Sequence, residues 1–463
     1  MQHAHRIKRL SALALGITGA LALGQVHASG FQLKENSVKA MGRAFAGSGS
    51  AGGDASVVAN NPAAMSTFKK TTVQADVTLV DLTANFTGSG FAAAAAPVPL
   101  RQPLTGGDGG NAGENTPIPA MSAIIPVGDT GMTIGAMVSA PFGLKTEYDR
   151  DWVGRYTAVE SDLKTVDFTL AASFDFGSEV SFGLGLVYER AEATLSKAID
   201  FGTAICGISP VTCLTPGSPF GPQRNDGFIE VNGDSTGIGW IVGMHVHPAE
   251  NLAIGFTHRS EIDHDIEGTA DFTVPGPVAA LLGAAAPGQY VDTGGFAALT
   301  TPAVDTISLT YGITDTFTVL ADVTRTQWSS MREVAIRFGN PAQQPNPAVE
   351  EFDWNDSMFA SIGAEWALND QFTLRAGYAQ DETPTHIETR TPRLPDADRQ
   401  WLSIGATWAP SESWEVSGGY TRINTDDPAI AITQPSTQTS GSTLVGEFSA
   451  DVNLWGVSAQ YRF

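Results

Sequence analysis

The chain has 463 residues, which is enough for a large core or for more than one domain. Its formal net charge of −23 excludes nucleic acid as an expected partner, because a phosphate backbone binds positively charged surfaces. Charged residues make up only 16% of the chain and glycine occurs 50 times, which is an unusual composition for a soluble protein.

The first 28 residues have the features of a secretory signal peptide. Basic residues at positions 6–9 precede an apolar run, residues 10–24, that is too short to span a membrane comfortably. Residues 26–28 read Val-His-Ala, which fits the small-residue rule for cleavage. We therefore expect the mature chain to begin at Ser29, with a retained membrane anchor as the alternative.

Residues 29–68 are rich in glycine and alanine and do not alternate like a strand. This segment either hangs free or folds into the interior formed by the strands that follow, and we favour the interior. Within it, Asn61-Pro62-Ala63 favours the start of a helix, since Asn is a good N-cap and Pro suits the first helical position. The functional alternative is that this triplet is a constricting element of a plug.

From residue 69 to 463, apolar side chains repeatedly alternate with small or polar ones. Residues 166–176, 180–186, 307–313 and 402–408 are clear examples, and each has one apolar face. A period of two is typical of β-strands whose two faces meet different surroundings. No run of about 18 apolar residues occurs in this region, so a transmembrane helix is not predicted.

Six short turns alternate with seven long connections, which gives 14 strands with both ends on the short-turn side. This arrangement is typical of an outer-membrane β-barrel, which must close because lipid offers no hydrogen bonds to an open edge. The predicted fold class is therefore an all-β transmembrane fold, a 14-stranded antiparallel outer-membrane β-barrel over residues 69–463 with an amino-terminal plug, residues 29–68, in its lumen. A soluble β-rich protein is the alternative.

The predicted third strand, residues 132–148, is interrupted at MVSAPFGL, residues 137–144. Proline cannot donate a ladder hydrogen bond, and the glycine two residues later weakens pairing further. Unpaired backbone groups facing lipid are costly, so a broken strand is tolerated only where it lines a cavity or is covered by protein. A bulge near the extracellular rim is the alternative to a built-in opening. The break extends from Pro141 to Gly143.

Two of the long connections contain further candidate residues. Cys206 and Cys213 lie in one stretch rich in glycine, proline and threonine, which in an exported protein favours a local disulfide. Val278, Leu281 and Leu282 belong to a connection that is unusually apolar for a loop. We predict a short surface helix there, which either forms part of a substrate groove or simply packs the loop.

Polar residues on the inward faces give weaker predictions. Arg259 and Arg399 are candidates for binding a carboxylate, although such arginines usually pair with a nearby Asp or Glu, for example Glu261 or Asp398. His245 and His247 share one strand face, but two ligands without a third are weak evidence for a metal, and hydrogen bonding in the lumen is favoured. We therefore predict no metal site and no cofactor.

Several ordered segments resemble the FadL family of outer-membrane transporters for long-chain fatty acids and other hydrophobic compounds. Their order and spacing together carry the resemblance. They are GFQLKENS (30–37) with the NPA triplet (61–63), FGLKTEY (142–148), SFGLGLVYERAEA (181–193), HRSE (258–261), QWSSM (327–331) and PDADRQWLSIGATW (395–408).

The resemblance implies a route through the barrel. Substrate first binds in a groove among extracellular loops and then moves to an apolar site in the lumen. A rearrangement of the hatch around Asn61, Pro62 and Ala63 releases it to a lateral opening in a kinked third strand, which corresponds to residues 139–143 here. Long-chain fatty acids are the first expected substrates, and monoaromatic hydrocarbons or alkanes are the alternative.

Other functional classes are less well supported. An outer-membrane lipid hydrolase would need a nucleophile beside a histidine and a carboxylate, and no such spacing stands out. A passive diffusion porin or a structural adhesin is a second alternative, and the amino-terminal plug argues against an open porin. We therefore expect a monomeric transporter without enzymatic activity in the Gram-negative outer membrane. Its expected partners are hydrophobic small molecules, outer-membrane lipid, lipopolysaccharide and the barrel assembly machinery, whose signal the terminal Phe463 resembles.

Overall fold

The computed structural model describes residues 30–93, 101–177, 179–214, 218–434, 436 and 439–463. The predicted signal peptide, residues 1–28, lies outside the described residues. The helices are α1 (Val38–Met41), α2 (Val57–Asn60), α3 (Phe201–Ile208), α4 (Pro210–Leu214) and α5 (Gly276–Ala285), with 3-10 turns at Pro62–Thr67 and Trp328–Ser330. The strands are β1 (Thr72–Phe91), β2 (Asn115–Pro126), β3 (Met132–Ser139), β4 (Gly143–Glu147), β5 (Glu160–Asp175), β6 (Val180–Asp200), β7 (Asp226–Ala249), β8 (Leu252–Arg259), β9 (Ile262–Thr273), β10 (Thr293–Thr301), β11 (Val304–Gly312), β12 (Phe317–Thr326), β13 (Glu333–Phe338), β14 (Ala348–Glu351), β15 (Ser357–Ala367), β16 (Phe372–Asp381), β17 (Arg399–Trp408), β18 (Trp414–Thr425), β19 (Ala429–Ile432) and β20 (Thr443–Arg462).

Antiparallel pairing joins fourteen of these strands into a closed ring. The order around the ring is β1, β2, β3, β5, β6, β7, β8, β11, β12, β15, β16, β17, β18 and β20. The last strand returns to the first along its whole length, from Thr72 opposite Arg462 to Phe91 opposite Thr443. The last strand thus closes the ring on the first, and the prediction of a 14-stranded antiparallel barrel is confirmed.

The two faces of the ring differ as the alternating sequence predicts. In β6, Phe182, Leu184 and Leu186 on one face are each about half exposed, whereas Ser181 and Glu189 on the other are buried. The exposed apolar face points outward, where a bilayer would cover it, and the small or polar face points into the ring. No helix among the described residues is long and apolar enough to cross a membrane.

The remaining six strands lie outside this count. β4 continues β3 after the interruption, and β9, β10, β13, β14 and β19 fall in connections that the sequence assigned to loops. Two of them extend the wall outward, since β9 pairs with the far half of β7 and β10 pairs with β9. Long connections are therefore partly built as hairpins, because paired strands satisfy backbone groups that a free loop would leave to water.

The segment before β1, residues 30–68, contacts inward-facing positions around the whole ring. Its polar contacts include Val38 N to Asp76 of β1, Ser181 of β6 to Ala63 O, Gly47 N to Asp322 of β12, and Lys39 to Glu415 of β18. Since these strands lie on different sides of the ring, the segment occupies the bore.

Glycines on the ring strands provide the space for this segment. At nine positions on these strands, a Cβ atom added to the glycine would come within 3.0 Å of an atom of residues 30–68. Gly405, for example, lies so close to Gly42 that its Cβ would be 2.8 Å from the Gly42 Cα. We call these nine glycines the glycine collar. They are Gly135, Gly183, Gly243, Gly255, Gly363, Gly377, Gly405, Gly419 and Gly456.

Candidate functional site

A cavity that we call the outer cavity lies among the outer ends of the strands and the long connections. It encloses an empty volume of about 900 Å³, including space open to solvent. The side chains of its wall are mainly aliphatic and aromatic. They include residues of β5, β6, β9, β10, β13 and the amino-terminal segment. Representative lining residues are Leu163, Leu195, Ile266, Leu299, Ile336 and Trp354.

One end of the outer cavity is ionic. Arg393 and Glu350 are both about 95% buried there, and Arg393 Nε lies 3.5 Å from Glu350 Oε1. The Arg393 Nη1 group also donates to Glu160 O and Ser161 Oγ, each at 3.2 Å. The arginine charge is therefore already matched by a carboxylate, so the cavity offers mainly apolar contact to a ligand.

The two arginines predicted as carboxylate ligands are also engaged. Arg259 contacts the carboxylates of Asp167 and Glu189, with Arg259 Nη2 at 2.7 Å from Glu189 Oε2. His264 Nε2 lies 2.9 Å from Glu189 Oε1, which also accepts from the Thr301 hydroxyl at 2.7 Å. These five residues form a buried network. Arg259 therefore pairs with carboxylates of β5 and β6, and not with the nearby Glu261.

Arg399 pairs with Asp396 at 2.6 Å rather than with Asp398, and it donates to the backbone oxygen of Gly30 at 3.0 Å. It therefore ties the start of the described amino-terminal segment to the connection that precedes β17.

The predicted surface helix is present as α5, but its side chains do not line the outer cavity. Val278 and Leu282 are buried against Phe201 and Ile205 of α3, and Leu281 is 36% exposed. The sulfur atoms of Cys206 and Cys213 are joined by a disulfide that links α3 to α4. The two connections thus pack against each other outside the ring, and Leu281 faces solvent.

The third strand is interrupted where the sequence predicts. β3 ends at Ser139 opposite Asp167, and β4 begins at Gly143 opposite Lys164. Residues 140–142 therefore lie opposite only two residues of β5, which is a β-bulge. The bulge turns Phe142 inward, and its side chain is 1% exposed.

The interruption leaves part of the wall unpaired. The ladder between β2 and β3 stops at Met121 opposite Val138, and within the described residues β4 pairs only with β5. β2 residues 115–120 therefore have a strand partner on the β1 side alone, over about 20 Å at 3.3 Å per residue. We call this stretch the wall gap. The ion pair between Lys145 and Glu114, at 2.6 Å, marks its outer end.

Two prolines on β2 face the wall gap. Pro117 and Pro119 stand opposite Leu79 and Val77 of β1. In an antiparallel ladder a proline can occupy only a pair without mutual hydrogen bonds, so its nitrogen points away from β1. Both nitrogens therefore face the gap and carry no hydrogen, which spares this edge two unpaired N–H groups in the membrane. The sequence TPIPA, residues 116–120, indicates this unpaired edge of β2, but the sequence-based prediction of the opening did not include it.

The amino-terminal segment takes over backbone hydrogen bonds at the interruption. Gln32 and Phe142 form an isolated antiparallel bridge. Leu33 N donates to Pro141 O at 2.7 Å, and Gly143 N donates to Phe31 O at 2.9 Å. Residues 31–33 thus act as a short strand on the inside of the broken wall. They connect the amino-terminal segment to the edge of the wall gap.

Aromatic rings mark the boundary between the outer cavity and a second cavity below it. Phe31 packs edge-on against Trp328 with ring centroids 4.6 Å apart, and Phe142 lies 5.9 Å from the same ring. Phe31 lines the outer cavity, while the next residues along the chain, from Gln32 on, line the second cavity. A ligand that passes between the cavities must therefore move past these rings.

The second cavity, which we call the inner cavity, lies between the amino-terminal segment and the wall. Ser139 and Pro141 of the interruption line it, together with Phe359 and polar groups that include Lys34 and Asp322. About half of its lining is polar, in contrast to the outer cavity. Burial lowers the pKa of Lys34 below its usual range, and the charges of Asp381 and Asp322 oppose that shift.

The Asn61-Pro62-Ala63 triplet begins a 3-10 turn, as the sequence favoured. Asn61 Oδ1 caps the turn by accepting from Ala63 N at 3.1 Å, and Asn61 Nδ2 donates to Gly49 O at 2.8 Å and Met244 O at 3.1 Å. Gly243 provides the space for this side chain, since its Cβ would lie 2.0 Å from Asn61 Oδ1. One side chain thus ties the triplet both to its own segment and to β7.

The predicted histidine pair lies close by. His245 Nε2 is 3.1 Å from the backbone oxygen of Ser50, which is a lumenal hydrogen bond. Within the part of the chain that the structure describes, no three His, Cys, Asp or Glu side chains are grouped as metal ligands.

Comparison with known proteins identifies the family. Residues 19–463 match the family model described as outer membrane protein transport protein (OMPP1/FadL/TodX). The chain belongs to this family. The resemblance read from the sequence is thereby confirmed, and so are a location in the Gram-negative outer membrane and a transport role without enzymatic activity.

Relatives within the OMPP1/FadL/TodX family match most of the chain. The long-chain fatty acid transport protein of Salmonella typhi is 26% identical over 84% of this chain and 86% of its own length. That of Escherichia coli strain K12 gives the same values, and the 47 kDa outer membrane protein of Pasteurella multocida is 28% identical over 82% of this chain and 84% of its own.

Two solved structures are similar in fold. The crystal structure of a Pseudomonas aeruginosa FadL homologue superposes with a TM-score of 0.82 at 24% identity and covers 94% of this chain and 100% of that one. The Pseudomonas putida toluene transporter TodX gives a TM-score of 0.64 at 16% identity and covers 95% and 100%. Membership of the OMPP1/FadL/TodX family makes the chain an outer-membrane transporter of hydrophobic compounds.

Proposed function

We propose that this protein takes up long-chain fatty acids from outside the cell and releases them sideways into the outer membrane. The observation that carries the proposal is the apolar outer cavity, which the aromatic boundary separates from the inner cavity beside the interrupted third strand. An aliphatic chain that leaves water for such a lining gains roughly 0.8 kcal/mol per buried methylene. Polar lipopolysaccharide offers no comparable contact on the outer surface.

The choice of fatty acids over monoaromatic hydrocarbons or alkanes rests on the relatives. Long-chain fatty acid transport proteins match this chain at 26% identity, whereas the toluene transporter TodX is similar at 16% and in fold alone. A long lining of aliphatic residues from several strands also suits an extended chain better than a single aromatic ring. Uptake of small hydrocarbons by the same route is the second candidate.

We assign residues 29–68 to a hatch that closes the bore, residues 69–463 to the barrel, and residues 1–28 to a signal peptide. The glycine collar and the polar contacts of Lys39, Arg43 and Ser48 with the wall support a hatch that is held all around its edge. The Asn61-Pro62-Ala63 triplet is the proposed gate, because Asn61 alone links it to both Gly49 and Met244.

We place the lateral exit at Ser139, Ala140, Pro141, Phe142 and Gly143. Within the described part of the chain β4 has no partner on β2, and this, together with the two prolines that face the gap, supports an opening at this level. The closure of the ring supports a monomer, since pairing of β20 with β1 leaves neither terminal strand free to pair with a second copy. We expect contact with lipopolysaccharide and recognition of the aromatic carboxyl terminus by the barrel assembly machinery.

Uptake of labelled oleate and of toluene tests the proposal in cells that lack their own transporter. The chain offers a matched pair of variants on β10, because Ala297 lines the outer cavity whereas its neighbour Ala298 is exposed on the other face. Ala297→Trp should fill the cavity and lower oleate uptake, and Ala298→Trp should not. Heat-dependent gel migration reports whether each barrel folds.

Toluene uptake without oleate uptake in the native protein would replace the fatty acid with the second candidate. Equal oleate uptake by the native protein and the folded Ala297→Trp variant would reject the outer cavity as the binding site.

A further inference from the structure

The inner cavity contains one cation that lacks a matching carboxylate. Its charged lining residues, among those that the structure describes, are Lys34, Arg259 and Asp322. Arg259 is neutralised by the two carboxylates of the buried network described above. Asp322 accepts hydrogen bonds from Gly47 N at 2.6 Å and Ser48 N at 3.1 Å. Lys34 is the remaining charge.

Lys34 is positioned by an aromatic ring rather than by an ion pair. Its Nζ atom stands 4.1 Å from the centroid of the Phe359 ring, which is 2% exposed. Among the described residues, Lys34 forms none of the ion pairs seen in the structure, and the charges of Asp381, Asp322 and Glu35 act on it electrostatically. A cation–π contact stabilises the charge and leaves its N–H groups able to donate to an anion.

The position of Lys34 relates it to the wall gap. Its neighbour Leu33 donates its N–H to Pro141 O at 2.7 Å, and both Ser139 and Pro141 line the cavity that Lys34 faces. Apolar groups of the same cavity, such as Ile241 and Phe359, provide a surface for an aliphatic chain. The cavity therefore combines a cation, an apolar surface and the interruption of the third strand.

We propose that Lys34, seated over the Phe359 ring, binds the carboxylate head group of an aliphatic amphiphile beside the wall gap. This inference rests on the proposed function and names the subsite at which the head group is held before release. In the outer cavity Arg393 already has Glu350 as its counter-ion. Among the described residues that line the two cavities, Lys34 is therefore the cation without an ion-paired carboxylate, and its charge would attract a carboxylate past the aromatic boundary.

Lys34→Met tests the site, because methionine keeps the length and apolar stem of lysine and removes the charge. Lys34→Arg is the matched control, since it keeps a cation able to stack on Phe359. The purified proteins are titrated with oleate and with oleyl alcohol, which has the same chain without a carboxylate. We expect Lys34→Met to weaken oleate binding about ten- to hundredfold, the range for one charge-assisted hydrogen bond, and to leave oleyl alcohol unchanged.

A chemical probe gives a second readout on the native protein. A water-soluble carbodiimide activates the oleate carboxyl, the Lys34 amine attacks the activated carbon, and an amide forms while the carbodiimide leaves as its urea. Mass spectrometry should find the oleoyl adduct on Lys34 in preference to the exposed Lys70, whose side chain is 53% exposed.

The possible outcomes separate the site from the function. Oleate bound equally by the native protein and by Lys34→Met, or an adduct on Lys70 with none on Lys34, would overturn the site while the transport proposal stands. A native protein that does not bind oleate at all would overturn the proposed function itself. Loss of oleate binding in both Lys34→Met and Lys34→Arg, with oleyl alcohol binding lost as well, would mean that packing and not charge matters, and would also reject the site.

Discussion

Gln32 of the amino-terminal segment pairs with Phe142 of the interrupted third strand in an antiparallel bridge. Hydrogen bonds on both sides, from Leu33 N to Pro141 O and from Gly143 N to Phe31 O, hold the bridge in register. Any movement of the segment along the bore must therefore break this bridge or pull on the wall.

A disulfide at this bridge should block transport. Cα atoms that face each other in an antiparallel pair lie about 4.5–5.5 Å apart, which a disulfide can span. We expect the double variant Gln32→Cys with Phe142→Cys to lose oleate uptake when oxidised and to regain it on reduction. Both single variants, and the native protein with and without reductant, are the controls, because reductant also opens the native Cys206–Cys213 bond. Full uptake by the oxidised double variant would mean that the bridge need not open.

Restoring donors to β2 should hinder lateral exit. The double variant Pro117→Thr with Pro119→Thr places two N–H groups on an edge that faces the gap, where they favour pairing with β4 or draw in other polar partners. We expect oleate uptake to fall while ion conductance in planar bilayers stays low. Pro126→Thr, at the turn end of β2 opposite Thr133, is the matched control. Unchanged uptake in the folded double variant would count against an exit between β2 and β4.

The seal of the bore should depend on the glycine collar. Gly405→Ala would bring a Cβ within 2.8 Å of the Gly42 Cα, so the amino-terminal segment must shift, at a cost of about 1–3 kcal/mol for overpacking. We expect a raised single-channel conductance and lower thermal stability. Gly418→Ala on the neighbouring strand is the control, because the nearest atom to its added Cβ is 4.0 Å away. Equal conductance of the two variants would show that the collar does not set the seal.

The strand count and the faces of the barrel could be predicted because lipid outside and polar groups inside impose a period of two on every strand. The interruption could be predicted because proline lacks the donor that a continuous wall needs. The contacts between Lys39 and Glu415 or between Arg43 and Glu365 could not, since they join residues more than 300 positions apart and depend on how the segment sits in the bore. The partners of Arg259 were missed because Asp167 and Glu189 lie on two other wall strands, 92 and 70 positions away along the chain.

The last prediction concerns the role of Arg259. The sequence suggested that this arginine binds the carboxylate of a substrate, whereas in the structure it pairs with two carboxylates of the protein, Asp167 and Glu189. Arg259→Lys keeps the charge but cannot reach Asp167 and Glu189 with a forked pair of donors. Breaking a buried pair typically costs about 3–5 kcal/mol, because a carboxylate is left without its partner. We expect a clear drop in the temperature at which the barrel unfolds on heated gels, with oleate affinity unchanged in the folded fraction. Arg325→Lys, whose ion pair with Asp356 lies at an exposed site, should leave the unfolding temperature nearly unchanged. A selective loss of oleate affinity in Arg259→Lys at normal stability would instead assign the head group to Arg259.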